Sequence, residues 1–363
     1  MKNRVQSSRL HKPWGFFILE HEWGSRRTES QRLARGFFLS LIGFLVLFCA
    51  CGSGVYAAES DLMKRRQQGI LTGMPFMANI APRTFVDDLD RKLYLAKPPT
   101  RIVSLAPSIT EMLFAIGLDE EIVGVTDFCN YPAVALTKPR VAYSQPNLEA
   151  LVALQPQLVL APQSFLRADL LSKLDQLKIP TFIMESHTVE GIFSHIQVLG
   201  RMLGRSPHAN DLAAKLRRQV AQLTRQIEGL SKPTVLYVLN SQPLMTVGPG
   251  SYIQHLFELA GARNAAERAD VPYPRLTMEE VLTKNPEILL FPVGEHEGIA
   301  QADQDAWKRW DVLRAVQQGR LVQIHSDLLN RPGPRVVEAL EVLVQLFHPE
   351  ISLKDTTESS LPH

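Results

Sequence analysis

Two acidic residues stand at equivalent places in a block of sequence that occurs twice. Glu149 lies near the start of NLEALVALQPQLVLAP, and Glu279 lies near the start of TMEEVLTKNPEILLFP, 130 positions later. Each carboxylate falls in the first turn of a predicted helix, where it gains about 0.3–1 kcal/mol from the helix dipole. That role explains each residue but not the recurrence of the whole block. On two lobes of one design, the carboxylates would form a symmetric pair of contacts for a two-fold partner.

Motifs for the common catalytic chemistries are missing from the sequence. It contains no G-x-G-x-x-G, G-x-x-x-x-G-K, H-E-x-x-H, C-x-x-C or G-x-S-x-G. His187, His296 and His325 each follow a predicted strand, but solvated or locally bonded histidines are commoner there than metal ligands. The acidic stretch at 87–90, DDLD, fits a hairpin turn better than a metal site. We therefore expect a binding protein with no catalytic residue, metal site or cofactor; the alternative of another class is an exported hydrolytic enzyme.

Strands alternate with helices through both halves of the sequence. RIVSLAPSITEMLFAIG predicts a strand, a turn and a helix, and GSYIQHLFELAG echoes its helix in the second half. Such alternation predicts parallel sheets covered by helices on both faces. Between the halves, residues 206–230 form a long amphipathic helix without a breaker, which is either a surface helix or a strut between lobes. We predict an N-terminal lobe, a connecting helix, a C-terminal lobe and a tail, at 83–205, 206–230, 231–352 and 353–363.

The first 58 residues have the pattern of an export signal. Arginines at 26, 27, 32 and 35 lie just before the apolar run GFFLSLIGFLVLFCA, which is shorter than a membrane-spanning helix needs. VYAAES then offers cleavage after Ala57. The alternatives are an uncleaved anchor and lipid modification, since FCAC, which ends at Cys51, loosely matches a lipobox. Residues 59–82 form a polar linker. We expect a periplasmic protein, either free or lipid-anchored.

Composition narrows the range of partners. The chain has 363 residues and a formal net charge of +2, so it has no bulk attraction to nucleic acid or to anionic membranes. Cys129 is the one cysteine in the body of the chain, which excludes an internal disulfide and a cysteine-metal site there.

Four motifs carry a resemblance to a known family over about 83–350. They are RIVSLAPSITEMLFAIG, NYP, NLEALVALQPQLVLAP and VPYPRLTMEEVLTKNPEILL. The chain resembles the periplasmic substrate-binding proteins of ABC importers that carry cobalamin, haem and ferric siderophores. The resemblance implies an α/β fold of two Rossmann-like lobes, with central, mainly parallel sheets, joined by a single long helix and closing little. It also implies that Glu149 and Glu279 contact arginines of the permease dimer in the cytoplasmic membrane, and we expect a monomeric binder.

Within this family the cobalamin-binding members are most similar. Tyr131 matches a tyrosine of their aromatic wall, Tyr143 and Tyr273 stand where they have tryptophan, and Phe165 lies close to Pro162, where another tryptophan stands. Aromatic faces suit a large flat macrocycle. The resemblance therefore predicts a corrinoid ligand.

A ferric siderophore or haem is the alternative ligand within the same family. Siderophore binders favour arginine in the cleft, and Arg331 and Arg335 in NRPGPR could serve in that role. Tyr131 or Tyr143 could reach a haem iron. We include Arg331 among the predicted ligand-binding residues.

Overall fold

The computed structural model describes residues 83–142, 148–163, 168–295 and 297–351, which belong to one compact unit. The predicted signal segment, linker and C-terminal tail lie outside these residues, and so do Tyr143, Phe165 and His296. None of the described helices is long and apolar enough to cross a membrane.

The described chain begins with the predicted hairpin. Strands β1 (Arg83–Val86) and β2 (Lys92–Leu95) pair in antiparallel register. The Asp87 carboxylate closes the turn by accepting the backbone N–H groups of Leu89 and Arg91, at 3.0 and 2.9 Å. The acidic stretch DDLD is therefore a turn, as the sequence predicts.

A five-stranded parallel sheet forms the first half, in the order β5-β4-β3-β6-β7. Its strands are almost entirely buried because helices cover both faces. The strands are β3 (Ile102–Ser104), β4 (Ile122–Thr126), β5 (Arg140–Val141), β6 (Leu158–Ala161) and β7 (Thr181–Ile183). The helices are α1 (Pro107–Ala115), α2 (Leu148–Ala153), α3 (Ala168–Gln176) and α4 (Val189–Met202), with a 3₁₀ turn at Ala133–Thr137.

The second half repeats this design with a four-stranded parallel sheet in the order β11-β8-β12-β13. Its strands, with the small hairpin β9-β10, are β8 (Thr234–Tyr237), β9 (Asn240–Ser241), β10 (Leu244–Met245), β11 (Arg263–Asn264), β12 (Ile288–Val293) and β13 (Leu321–His325). After α5, described next, the helices are α6 (Tyr252–Leu259), α7 (Met278–Lys284), α8 (Gln301–Asp305), α9 (Arg314–Gln317), α10 (Ser326–Leu329) and α11 (Val336–Phe347), with a 3₁₀ turn at Ala306–Arg309. The predicted α/β class with two parallel sheets is confirmed.

A single long helix, α5 (Ser206–Gln226), connects the two halves. It packs against α4 of the first half and α11 of the second, so it is a connecting helix rather than the surface helix of one lobe. Its buried stripe consists of Ala209, Ala213, Leu216, Val220 and Leu223. The helix ends four residues before the predicted limit, ahead of Gly229, whose φ of +82° is incompatible with continuing an α-helix.

The packing of α5 on α4 depends on one glycine. A Cβ atom at Gly200 would lie 2.2 Å from the Cβ of Ala209, far inside van der Waals contact. The backbone of α4 therefore contacts a side chain of α5 directly at this point. This contact fixes the direction in which α5 begins.

One buried apolar cluster continues through both halves. It includes Met112 on α1, Leu216 on α5, Leu256 on α6 and Leu340 on α11. Because interiors are close-packed, a shared core resists rotation of one half against the other. This continuity fits the small closure that the sequence resemblance implies.

Candidate functional site

A cleft lies where the carboxyl ends of the two parallel sheets meet. Ala106 and Pro162 follow β3 and β6, between which the strand order of the first sheet reverses, and Leu239 and Glu297 follow β8 and β12, where the second sheet reverses. Ligands of open α/β sheets bind at such points. The cleft opens to solvent and encloses a cavity of about 240 Å³, so a large ligand would project from it.

Both halves contribute side chains to the cleft. From the first half come Pro107, Ser108, Ile109, Met112, Phe128, Met184, Glu185, Ser186, His187 and His195, and from the second Tyr252, Ile253, Tyr273, Asp327, Asn330, Arg331 and Pro332. The wall is thus apolar in part, with polar groups concentrated after β7 and around α10. A ligand held here would contact both halves at once.

An ion-pair network joins the halves beside the cleft. The Glu111 carboxylate, on α1, accepts two hydrogen bonds from the Arg335 guanidinium, at 2.9 and 2.6 Å. Arg331 lies 3.5 Å from the same carboxylate, pairs with Asp327 at 2.6 Å and donates to the side-chain oxygen of Asn130 at 2.7 Å. Burial raises the pKa of Glu111, and the two guanidinium groups oppose that shift. Arg331 is therefore already neutralised by two carboxylates.

A chain of three polar side chains crosses the wall next to β7. The Ser186 hydroxyl lies 2.6 Å from Nδ1 of His195, and Nε2 of His195 lies 2.8 Å from Oδ2 of Asp88. Burial opposes ionisation of Asp88, but hydrogen bonds from His195 and from the backbone N–H of Glu185 outweigh it and hold the pKa of this carboxyl below its usual range. No sequence motif marks this chain, because its members come from a turn, a loop and a helix as many as 107 positions apart.

The structure separates the predicted aromatic residues. Tyr273 lines the cleft and is 54 % exposed, ready to meet a ligand. Tyr131 lies next to the cleft lining rather than in it, with the Arg335 guanidinium 4.4 Å from its ring centroid. Tyr143 and Phe165 are outside the described residues. Tyr252, which no sequence motif marks, also lines the cleft, and its buried hydroxyl has no hydrogen-bond partner in the described chain.

The three candidate histidines also lie in different places. His187 lines the cleft, whereas Nδ1 of His325 accepts the backbone N–H of Asp327 and caps α10. His296 lies outside the described residues. In the described part of the chain, no three His, Cys, Asp or Glu side chains are placed to hold a metal ion.

The repeated acidic residues occupy equivalent places on the two halves. Glu149 is exposed in the first turn of α2, and Glu279 is exposed in the first turn of α7. The capping box of α7 uses Thr277 and Glu280, not Glu279. Glu280 aligns with Ala150 in the first copy, so the carboxylate of this capping box is not at the acidic position that the two copies share.

Two α/β halves, a single connecting helix and an open cleft between the sheets define a two-lobed solute-binding protein. Residues 102–328 match the family model described as periplasmic binding protein. The chain belongs to this family.

Relatives of known role support that membership. The chain is 32% identical over 251 residues to the vitamin B12-binding protein of Vibrio cholerae serotype O1, covering 68% of this chain and 89% of the relative. The crystal structure of the periplasmic vitamin B12 binding protein BtuF of Vibrio cholerae matches with a TM-score of 0.63 and 31% identity, covering 69% of this chain and 97% of that one. The periplasmic heme-binding protein RhuT from Roseiflexus sp. RS-1 matches with a TM-score of 0.62 and 25% identity, covering 69% and 98%.

Proposed function

We propose that this chain is the solute-binding component of an ABC importer and that its solute is a corrinoid, cobalamin. The observation that carries the proposal is a cleft between two lobes, lined by Tyr273 and apolar side chains, in a chain 32% identical to a vitamin B12-binding protein. The enclosed cavity of about 240 Å³ is too small to bury a whole corrinoid. The macrocycle would therefore rest against the cleft walls and project from it.

The charge of the cleft favours a corrinoid over haem or an anionic ferric siderophore. Among the described lining residues, Glu185, Glu297 and Asp327 carry carboxylates, and Arg331 is the one arginine or lysine. That guanidinium is paired with Asp327 and Glu111, so it offers little to a haem propionate. Cobalamin instead carries neutral amides around its ring, and these can donate to carboxylates.

The haem alternative also needs an iron ligand. Tyr131 is the described candidate, and a tyrosine binds iron best as the phenolate. Burial, with Glu338 and Glu111 close by, raises the pKa of the Tyr131 hydroxyl despite the nearby Arg335. This environment disfavours the phenolate, so it weighs against iron ligation by Tyr131.

The partner that we propose is the dimeric permease of the importer. Glu149 and Glu279 are exposed at equivalent helix starts on the two halves, and neither the capping box of α7 nor the cleft uses them. A dimer that presents one arginine patch from each subunit would meet them symmetrically. The binder would work outside the cytoplasm after export, as a monomer and without turning over its ligand.

Ligand titration tests the proposal directly. Purified chain beginning at Ala58 is titrated with cyanocobalamin, hemin and a ferric hydroxamate, while absorbance and calorimetric heat are recorded. We expect one cyanocobalamin per chain, with no product formed, and weaker binding of the other two. Preferential binding of hemin or the hydroxamate would assign the cleft to that ligand instead.

A further inference from the structure

The chain Asp88–His195–Ser186 lies in the wall of the cleft and is held rigidly. Ser186 and His195 both line the cavity, although each is less than a tenth exposed. Asp88 sits in the turn between β1 and β2, and its backbone N–H donates to the carbonyl of Ile183 on β7 at 3.2 Å. The hairpin is thus fastened to the edge of the first sheet, which fixes the position of the Asp88 carboxylate.

A second contact strengthens the attachment of the hairpin. The Asp87 carboxylate accepts the backbone N–H of Ile183 at 3.2 Å and two hydrogen bonds from the Arg91 guanidinium, both at Oδ2, at 3.0 and 2.7 Å. Arg91 also donates to the carbonyl of Thr181 at 3.1 Å. Three hydrogen bonds therefore fasten the hairpin to β7, and they hold Asp88 in place to orient His195.

The geometry fixes which atoms carry protons. When the His195 ring is neutral, its one proton must lie on Nε2, because the Asp88 carboxylate, 2.8 Å from that atom, can only accept. Nδ1 then accepts a hydrogen bond from the Ser186 hydroxyl, which lies 2.6 Å away. With its proton engaged, the Ser186 oxygen can offer only lone pairs to a ligand.

We propose that Asp88 and His195 act as positioning residues that make Ser186 a hydrogen-bond acceptor for an amide N–H of the ligand. This inference rests on the proposed function, and it adds a residue that distinguishes an amide of the ligand from a carboxylate at the same place. A ligand carboxylate at this place would face the Ser186 lone pairs with no proton to share.

The same three residue types form the hydrolytic triad of serine proteases, but the arrangement here differs. In that triad the serine bonds Nε2 and the aspartate bonds Nδ1, whereas here Ser186 meets Nδ1 and Asp88 meets Nε2. Ser186 also lacks the G-x-S-x-G setting that exposes a nucleophile on a sharp turn. The chain therefore suits ligand recognition better than acyl transfer.

The test compares two probes that differ in one amide. Cyanocobalamin and its monocarboxylic acids, each with one peripheral amide replaced by a carboxylate, are titrated calorimetrically into the wild type, Ser186→Ala, Ser186→Thr and Asp88→Ala. We expect the wild type to discriminate against at least one acid isomer. Ser186→Ala should weaken cyanocobalamin binding about tenfold and reduce that discrimination. Ser186→Thr, which keeps the hydroxyl, should preserve it.

Asp88→Ala tests the positioning role, because Ser186 is still present in that variant. Its discrimination between amide and acid should fall although its melting temperature shows a folded protein. Ser172→Ala, the same substitution on the exposed surface of α3, serves as the matched control and should leave both affinities unchanged.

Three results would overturn the inference. Normal cyanocobalamin binding by the wild type, with unchanged affinity and discrimination in Ser186→Ala, removes the inference alone. No cyanocobalamin binding by the wild type removes the proposed function and the inference together. Hydrolysis of p-nitrophenyl acetate by the wild type that Ser186→Ala abolishes would make Ser186 a nucleophile instead of an acceptor.

Discussion

Tyr273 shows how a single aromatic side chain can contribute to ligand binding. Its ring lines the cleft and is about half exposed, so a ligand can cover it without displacing other side chains. Burial raises the pKa of its hydroxyl still further above neutral pH. Sequence similarity identifies the position, and the structure shows that the ring is accessible from the cleft.

The first prediction concerns that ring. Tyr273→Ala should weaken cyanocobalamin binding by about 1–3 kcal/mol, because stacking area against the macrocycle is lost. Tyr143→Ala should do the same if the resemblance assigns that residue correctly. Calorimetric titration measures both. Tyr94→Ala removes an exposed tyrosine from β2, away from the described cleft lining, and is the matched control. Unchanged affinity in both Tyr273→Ala and Tyr143→Ala would place the ligand elsewhere.

At the scale of elements, α4 and α5 meet at a contact that admits no side chain at Gly200. The added Cβ would also lie 3.2 Å from the carbonyl oxygen of Arg205, so little space remains on either side. This contact sets the direction in which α5 leaves the first half.

The second prediction tests this contact. Gly200→Ala should lower the free energy of unfolding by about 1–3 kcal/mol, because the new methyl group overpacks the helix pair. Denaturant unfolding measures the loss. Ala209→Gly removes the opposing Cβ, so the double variant should be more stable than Gly200→Ala. If the two losses simply add, steric conflict between these positions is not the cause.

Across the whole molecule, Glu111 holds the two halves together. Its carboxylate is almost completely buried on α1, and its partners Arg331 and Arg335 belong to the second half, with side chains 9 % and 12 % exposed. Removing the carboxylate would leave two poorly hydrated guanidinium groups without their shared partner. The network therefore matters for the joint stability of both halves.

The third prediction follows from that arrangement. Glu111→Ala should destabilise the protein by about 3–5 kcal/mol, measured by denaturant unfolding. Glu190→Ala breaks a pair with Arg217 whose carboxylate is largely exposed, so it should cost less than about 1 kcal/mol. Equal losses of unfolding free energy in the two variants would show that burial does not increase the contribution of the Glu111 ion pair to stability.

The fourth prediction concerns delivery of the ligand. Glu149→Ala and Glu279→Ala should each reduce cobalamin uptake, and the double variant should reduce it by about tenfold, because charges that meet the permease are lost. Ligand affinity should not change. Complex formation between the wild type and the permease should weaken as salt rises.

Glu280→Ala separates docking from helix capping. It removes the carboxylate of the α7 capping box but keeps Glu279. This variant should melt at a lower temperature and still support uptake. Normal uptake by the Glu149→Ala/Glu279→Ala double variant would contradict the docking role.

The sequence by itself determined the features that repeat or have a period. Alternating strand and helix patterns predicted the two parallel sheets, and the unbroken apolar stripe of α5 predicted the connecting helix. The repeated block predicted that Glu149 and Glu279 lie at equivalent helix starts. These features are local, because periodicity records which face of an element is buried. The predicted C-terminal limit of α5 was less accurate, because the apolar pattern continues beyond the point where the helix ends ahead of Gly229.

Only the tertiary structure decided which distant residues meet. Glu111 and Arg335 are 224 positions apart, and the Asp88–His195–Ser186 chain needs the hairpin, β7 and α4 to come together. A sequence pattern specifies burial but not the partner across the chain, so neither contact has a local signature. Likewise, only the tertiary structure shows that Tyr131 packs against the Arg335 guanidinium and that Tyr252 lines the cleft. The order of the strands in each sheet, a long-range property, is what brings these side chains to one place.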